Sequence, residues 1–168
     1  MKENSLYDKK SLREITGKSA DWNEVAKDCV AFSNAQGGVI DYGIEDDADA
    51  PPADQKVSED IAINLENKIS GKTLNVSAHA EILTHENGGQ YIRLHIARGT
   101  SSASTTSGKY FTRVSDNSVP LTGDDITRLS AEKGYYRWED EESKWSWKDA
   151  DKEKLNMLLQ NLRNSNRV

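Results

Sequence analysis

The sequence is poor in cysteine and has no long apolar run, and these absences exclude several classes of protein. Cys29 is the only cysteine, so the chain can form neither an internal disulfide framework nor a zinc site built from several cysteines. No apolar stretch approaches the length that crosses a bilayer, and residues 1–11 are too polar for a signal peptide. We therefore expect a cytoplasmic protein that has no membrane partner.

The chain also lacks an excess of positive charge. Its 28 acidic and 22 basic residues give a formal net charge of −6, whereas proteins that bind nucleic acid draw on clustered lysine and arginine. Residues 1–20 are the exception, because there the basic residues outnumber the acidic ones; the basic ones are Lys2, Lys9, Lys10, Arg13 and Lys18. Any nucleic-acid surface must therefore be local.

The length and the composition indicate one domain with an extension. A chain of 168 residues can bury a sizeable core, and its apolar residues, 35% of the total, recur with regular spacing. We predict a domain over residues 1–134 and a C-terminal extension over residues 135–168, with a helix over residues 152–162 that packs on the domain or begins a following one. The extension also has an aromatic, acidic stretch that either forms an interaction surface or folds back over the sheet, with Trp138, Trp145 and Trp147.

Two helices of the domain are predicted from apolar spacing and from end signals. Residues 21–35 place apolar side chains three and four positions apart, and Asp21 is suited to accept hydrogen bonds from the amides of the first turn. Gly37-Gly38 should end this helix, because glycine reaches the left-handed conformation without a Cβ clash. A second helix should begin after Ser58 and stop at Gly71.

Strands are predicted where β-forming residues alternate with polar ones. Residues 39–44 follow the glycine pair as a strand, and two alternating runs, residues 74–82 and 92–96, flank Asn87-Gly88-Gly89 and indicate a hairpin. Residues 99–108 are small and polar, which is typical of a mobile loop.

The last part of the domain contains one further strand and one further helix. Tyr110–Val114 reads as a strand that ends at residues 115–118, and a helix carrying Ile126 and Leu129 should follow. The mixture of helices, one hairpin and separate strands predicts an α+β domain.

Two separated motifs resemble those of the Schlafen-type AlbA-like domain. The first is AFSNAQGG at residues 31–38, followed by VIDYGIED at residues 39–46; the second runs from Lys109 to Pro120 and continues through Asp125-Ile126 to Leu129. The resemblance implies an α+β fold with a mixed, mainly antiparallel sheet flanked by helices. It also implies a role in binding DNA or RNA, usually within a longer bacterial protein such as a transcriptional regulator or a helicase-like ATPase.

The same resemblance implies a candidate nuclease site. Some family members are described as metal-dependent ribonucleases that use three acids, and the matching positions here are Asp8, Arg13 and Asp46, so the middle acid is missing. Glu14 is adjacent, but in a strand it would point to the opposite face. If the nuclease reading holds, Asp46 would contribute to binding Mg²⁺ or Mn²⁺; otherwise it is a solvated turn residue, and no cofactor is expected.

The candidate nucleic-acid contacts fall in two segments. A mixture of cationic, aromatic and amide side chains is suited to phosphate contacts and base stacking; these residues are Lys109, Tyr110, Arg113 and Asn117 in the second motif, and Lys9, Lys10 and Arg13 near the start. The alternative for Arg113 is an ion pair with a carboxylate on a neighbouring strand.

Three functions are therefore open, and binding is favoured over catalysis. The first is a regulatory module that binds DNA or RNA within a larger, bacterial protein. The second is a divalent-metal-dependent endoribonuclease that uses Asp8, Asp46 and Glu14. The third is a protein-interaction or sensor domain, which the acidic balance supports. A homodimer is among the oligomeric states that the sequence leaves open, and a C-terminal domain in a longer chain is a further expected partner.

Overall fold

A computed structural model describes residues 3–134 and 152–165 of the chain. The chain divides into two compact units, residues 1–135 and 136–168. The elements of the first unit are β1 (Tyr7–Lys10), α1 (Trp22–Asn34), β2 (Gly38–Tyr42), α2 (Glu59–Lys72), β3 (Thr73–Leu74), β4 (Ala78–Thr84), β5 (Gln90–Ile96), β6 (Ser104–Thr105), β7 (Tyr110–Val114), β8 (Asn117–Leu121) and α3 (Asp124–Gly134). Two short 3-10 helices, Leu12–Glu14 and Gly17–Ser19, follow β1.

In the second unit, the described residues form the helix α4 (Lys152–Ser165). The predicted helix over residues 152–162 is thus confirmed and continues for three more residues. The expected tryptophan surface of Trp138, Trp145 and Trp147 lies outside the described residues.

The main sheet has four strands in the order β1-β2-β5-β4. β1 and β2 are parallel, and the other two neighbouring pairs are antiparallel. Two smaller sheets pair β3 with β6 and β7 with β8. The predicted α+β class with a mixed, mainly antiparallel sheet is therefore confirmed, and so is the β4–β5 hairpin.

The core lies between α1, α2 and one face of the main sheet. It contains Phe32 from α1, Leu65 from α2, and Ile40 and Leu94 from β2 and β5, each with no exposed surface. The other face of the sheet is more polar: Arg93 forms two hydrogen bonds of 2.8 Å to the buried carboxylate of Asp41. This division follows from the alternation of side chains along each strand.

The ends of α1 agree with the sequence. The carboxylate of Asp21 accepts hydrogen bonds from the amides of Asn23 and Glu24, at 3.0 and 3.2 Å. At the other end Gly37 has φ +74, and a Cβ placed on it would lie 2.6 Å from the carbonyl oxygen of Ile96. The helix ends at Asn34, and Gly37 then lets the chain turn into β2 and allows β5 to approach closely.

The predicted ends of α2 are only partly correct. The side chain of Ser58 makes no capping hydrogen bond, and the helix continues through Gly71 to Lys72. Thr73 ends it instead, because its hydroxyl donates to the carbonyl of Ile69 at 2.8 Å and its amide donates to the same oxygen.

The side chain of Asn34 in the first motif attaches the later strands to α1. Its amide nitrogen donates to the carbonyls of Ala103 and Phe111, and its amide oxygen accepts from the N–H of Ala103, all at 2.8 Å. Residues 99–108, predicted as a mobile loop, therefore contain a buried segment that includes β6.

Sequence reasoning missed β8. Residues 115–118 were expected to end the preceding strand, but the turn occupies only Ser115, with φ +57, and Asp116. Asn117 then begins β8, whose pairing with β7 includes Pro120 opposite Phe111. Pro120 disfavours a strand prediction, yet proline is tolerated in an edge strand such as this one.

Candidate functional site

Arg113, a predicted nucleic-acid contact, is buried. Its Nη1 atom lies 3.1 Å from a carboxylate oxygen of Asp8, and the two side chains are 2% and 4% exposed. The guanidinium also stacks over the ring of Phe32, 4.5 Å from the ring centre. The predicted phosphate contact at Arg113 is therefore corrected: this arginine pairs with a carboxylate, as in the alternative, but with one on β1 of the main sheet.

The environment of Asp8, the partner of Arg113, determines its charge. Burial raises the pKa of the Asp8 carboxyl, and the nearby charges of Lys10 and Arg113 oppose that rise. A hydrogen bond of 3.0 Å from the amide of Lys9 also favours the ionised form. A carboxylate held in this way serves first to neutralise Arg113.

Four carboxylates, which we call the acidic group, lie close enough to affect Lys10 electrostatically: Asp8, Glu14, Asp28 and Asp46. Burial lowers the pKa of the Lys10 ammonium, but these four charges outweigh it, so the pKa is raised overall. The ammonium nitrogen of Lys10 lies 3.9 Å from a carboxylate oxygen of Asp8. It therefore compensates acidic charge and is a poor candidate for a phosphate contact.

Glu14 is one of the carboxylates of the acidic group, whereas its neighbour Arg13 pairs with a carboxylate outside that group. Glu14 would face away from the Arg13 side only in a strand, and both residues lie in the 3-10 helix Leu12–Glu14. Arg13 is 76% exposed at its side chain and pairs with Glu45 at 3.3 Å. Burial raises the pKa of the Glu14 carboxyl, and so do the negative charges of Asp28, Asp46 and Asp8. The charge of Lys10 lowers it, and the net effect is a rise.

Sequence reasoning missed Asp28. It lies on α1, is 6% exposed and accepts a hydrogen bond of 2.7 Å from the hydroxyl of Ser118 on β8. A polar residue beside the apolar stripe of a helix ordinarily faces solvent. In the fold, the carboxylate of Asp28 instead meets Ser118 of the unpredicted strand β8.

The acidic group does not form an evident metal centre. Within residues 3–134 and 152–165, no three histidine, cysteine, aspartate or glutamate side chains are arranged to hold a metal ion. Asp8 is committed to Arg113, and Asp46 is exposed in the loop after β2. The observed geometry gives no support to Mg²⁺ or Mn²⁺ binding at Asp46.

The predicted basic segment near the start is not a basic surface. Lys9 is 7% exposed, and its ammonium donates to the carbonyl of Ala48 at 2.7 Å, which corrects its prediction as a contact. Lys10 lies within the acidic group, and Arg13 is paired. The charges of all three are thus engaged by the protein itself.

The second predicted segment is more accessible. Lys109 is exposed just before β7, and Tyr110 is half-buried beside it. Asn117 is exposed at the turn end of the β7–β8 hairpin, where its side chain donates to the carboxylate of Asp116 at 2.7 Å. Lys109 and Tyr110 are therefore neighbours, whereas Asn117 lies at the other end of the hairpin.

Lys109 opens onto a cavity of about 350 Å³ that two further lysines line. We call it the lysine cavity; its three lysines are Lys27 on α1, Lys72 at the end of α2, and Lys109. Asn23, Thr106 and Ser107 add amide and hydroxyl groups to its wall. Only packing brings the three lysines together, so no local sequence signal could have identified Lys27 and Lys72.

The three ammonium groups differ in how strongly the protein engages them. Lys72 donates to the side-chain oxygen of Asn23 at 3.0 Å, and Lys27 is paired with Glu24. The ammonium of Lys109 has no hydrogen bond or ion pair to any residue that the structure describes. With one carboxylate in its lining, the cavity is a local positive site on an acidic protein.

The loop that carries Lys109 is held in place by its own hydrogen bonds. The amide of Thr106 donates to the carbonyl of Lys72 at 2.9 Å, which attaches the loop to the end of α2. The hydroxyl of Thr105 accepts from the amide of Lys109 at 3.1 Å and bonds the hydroxyl of Ser107 at 2.9 Å. The cavity wall is therefore built before any ligand arrives.

Comparison with known proteins relates the chain to one family and to solved structures. The family model described as Schlafen, AlbA_2 matches residues 3–122, which include the lysine cavity and the acidic group. The crystal structure of the DIP2311 protein from Corynebacterium diphtheriae matches with a TM-score of 0.52 and 19% identity, over 70% of this chain and 25% of that one. This likeness concerns the fold alone, and the chain spans about a quarter of that protein.

No curated protein matches the chain in sequence. Among the described parts of the chain, no helix is both long and apolar enough to span a membrane.

Proposed function

Because the chain belongs to the Schlafen AlbA_2 family, a nucleic-acid-related family, we propose that it is a regulatory module that binds DNA or RNA through the lysine cavity. The family resemblance also supports placing this module within a longer, bacterial protein. Binding then depends on a small part of the surface, since the chain as a whole carries a net charge of −6.

The observation that carries the proposal is the meeting of three lysines in one cavity. Lysine ammonium groups are the usual partners of nucleic-acid phosphates, and hydroxyl and amide groups fix the position of the backbone. Lys109 is the strongest contact candidate, because a phosphate would not have to displace another partner from it. Lys72 would exchange or share its neutral partner Asn23.

Charge reversal in the cavity tests this proposal. Labelled single- and double-stranded DNA and RNA are titrated at two salt concentrations with the wild type, Lys72→Glu, Lys109→Glu and the double variant. We expect each reversal to weaken binding to all sequences about equally and to lower the salt slope by about one per lost phosphate contact.

Lys18→Glu is the matched control, because Lys18 is exposed and lies outside the cavity lining but undergoes the same change of charge. It should keep most of the affinity and the salt slope. If the cavity variants behave like Lys18→Glu, the phosphate contacts lie elsewhere. If the wild type binds no nucleic acid at either salt concentration, the regulatory-module proposal fails and the interaction or sensor domain becomes the better hypothesis.

A second candidate function is a divalent-metal-dependent endoribonuclease at the acidic group. The observation that favours it is that the charges of Asp8 and Asp46 act on Glu14, the residue next to the missing middle acid at Arg13. Against it stand the pairing of Asp8 with Arg113 and the position of Lys10 among the carboxylates. Cleavage would require these charges to rearrange around the metal.

RNA cleavage by rigorously purified protein in Mg²⁺ or Mn²⁺ tests this second candidate. Glu14→Gln and Asp46→Asn should abolish cleavage, and Asp47→Asn, a neighbouring change in the same exposed loop, should leave it intact. Absence of cleavage in either metal removes the hypothesis. Cleavage that survives both site variants would instead point to a contaminant or to another site.

A further inference from the structure

An apolar groove adjoins the lysine cavity. It has a volume of about 530 Å³, and its wall includes Tyr110, Phe111, Pro120, Leu121 and Ile126. These residues come from both strands of the β7–β8 hairpin and from the start of α3. The groove has the composition of a site for a flat, apolar or aromatic group.

Tyr110 is the side chain best placed to stack in this groove. Side chains alternate along β7, so Tyr110 points to the opposite face from Arg113, which packs against α1. Leu121 is the cross-strand partner of Tyr110. The hydroxyl of Tyr110 makes no hydrogen bond within the described part of the chain. No such bond therefore has to break when the ring contacts a ligand.

The cavity and the groove are neighbours on the surface. Lys109 and Phe111 line both of them. A ligand that places an anionic group among the lysines can therefore extend an apolar group towards Tyr110. A nucleotide has these two parts.

We propose that the lysine cavity and the apolar groove together bind one nucleotide of a single-stranded nucleic acid, with its phosphate among the lysines and its unpaired base against Tyr110. This inference rests on the proposed nucleic-acid function and names the strand type. A duplex can offer phosphates to the cavity but keeps its bases stacked inside, whereas a single strand offers both groups.

The test uses fluorescently labelled oligonucleotides and the full 168-residue chain. The probes are a single strand, an abasic strand of the same length, and a blunt duplex. Wild type should bind the base-containing strand about tenfold more tightly than either of the others, because stacking of a base on an aromatic side chain contributes on this order.

Two variants separate the base contact from the phosphate contacts. Tyr110→Ala should remove the preference for the base-containing strand without changing the salt slope, and Tyr110→Phe should keep it. Lys72→Glu should weaken binding to all three probes and lower the salt slope. The comparison of probes with the wild type does not depend on whether Tyr110→Ala folds.

The possible results distinguish this inference from the function beneath it. Equal, salt-dependent binding of the base-containing and abasic strands would overturn the base site and leave the phosphate site in place. Tighter binding of the duplex would have the same meaning. No salt-dependent binding of any probe would overturn both.

Discussion

The guanidinium of Arg113 lies 3.1 Å from the carboxylate of Asp8, and hardly any of either side chain is exposed. Their strands belong to different sheets, so this ion pair joins the β7–β8 hairpin to the edge of the main sheet. Each residue was a candidate for a different function, Asp8 for metal-dependent cleavage and Arg113 for binding phosphate. In the structure, the two residues instead form an ion pair with each other.

Arg113→Met should destabilise the first unit by about 3–5 kcal/mol, because the buried carboxylate of Asp8 then keeps only the more distant ammonium of Lys10 as a charged partner. Denaturation by urea, followed by circular dichroism, measures this loss. Asp8→Asn combined with Arg113→Met should recover part of it, since no buried charge then remains unpaired.

Arg128→Met is the control for this prediction. Arg128 also pairs with an aspartate, Asp125, at 2.8 Å, but its side chain is 76% exposed. Its loss should change the free energy of unfolding by less than about 1 kcal/mol. Equal effects of the two substitutions would mean that the buried pair does not hold the hairpin.

Gly37→Ala should be more destabilising than Gly17→Ala. Both glycines have positive φ, +74 and +64, so both substitutions incur the left-handed penalty of about 1–2 kcal/mol. At Gly37 the new Cβ would also lie 2.6 Å from the backbone oxygen of Ile96, whereas nothing lies within 4 Å at Gly17. We expect an additional cost of about 1–3 kcal/mol at Gly37, and thermal or urea unfolding of the two variants gives the difference directly.

Much of the fold could be predicted because its signals are local. The cap at Asp21, the glycine pair after α1 and the turn of the β4–β5 hairpin each depend on a few consecutive residues. β8 was missed because its signals conflict: its pairing is satisfied by β7, but Pro120 and polar neighbours argue against a strand.

Less of the candidate site could be predicted, because burial and proximity decide it. The sequence made Lys109 and Tyr110 candidates, but it could not indicate that Lys27 and Lys72 would share a cavity with Lys109, since they lie on two different helices. It also gave no sign that Lys9 would be buried against the carbonyl of Ala48. Charge along the chain is a poor guide to charge on the surface when side chains pair in the fold.

Asp46→Asn should lower the pKa of Glu14. The pKa of this carboxyl lies above its ordinary value of 4.5, first because of burial and then, against the attraction of Lys10, because of the negative charges of Asp28, Asp46 and Asp8. Removing one of these charges should move the pKa back towards 4.5, and carbon-detected NMR titration of the glutamate carboxyls measures the shift.

The same pKa has a consequence for stability. Since the folded state binds the proton of Glu14 more tightly than the unfolded state, the contribution of Glu14 to stability falls as pH rises from 4.5 to the raised value. Asp46→Asn should reduce this fall. Asp47→Asn, the exposed neighbour, is the control; if both variants leave the pKa of Glu14 unchanged, Asp46 does not act on it.

Lys133 should make stability rise with pH in the alkaline range, whereas the contribution of Glu14 falls with pH in the acidic range. Burial and the nearby charge of Arg98 lower its pKa from 10.5 to about 8, while its nitrogen donates to the carbonyls of Ser33 and Gly99 at 2.6 and 3.1 Å. A neutral amine can still donate both hydrogen bonds, so deprotonation removes the cost of a buried charge without breaking them.

Between about pH 8 and 10.5 the unfolded state binds more protons than the folded one, and stability should therefore rise with pH. Other groups titrate in this range, so the measurement is the difference in unfolding free energy between wild type and Lys133→Met, which should grow with pH. Lys18→Met, which removes an exposed lysine, is the control. A difference for Lys133→Met that is flat or shrinks with pH would show that the two carbonyls hold the ammonium in its charged form.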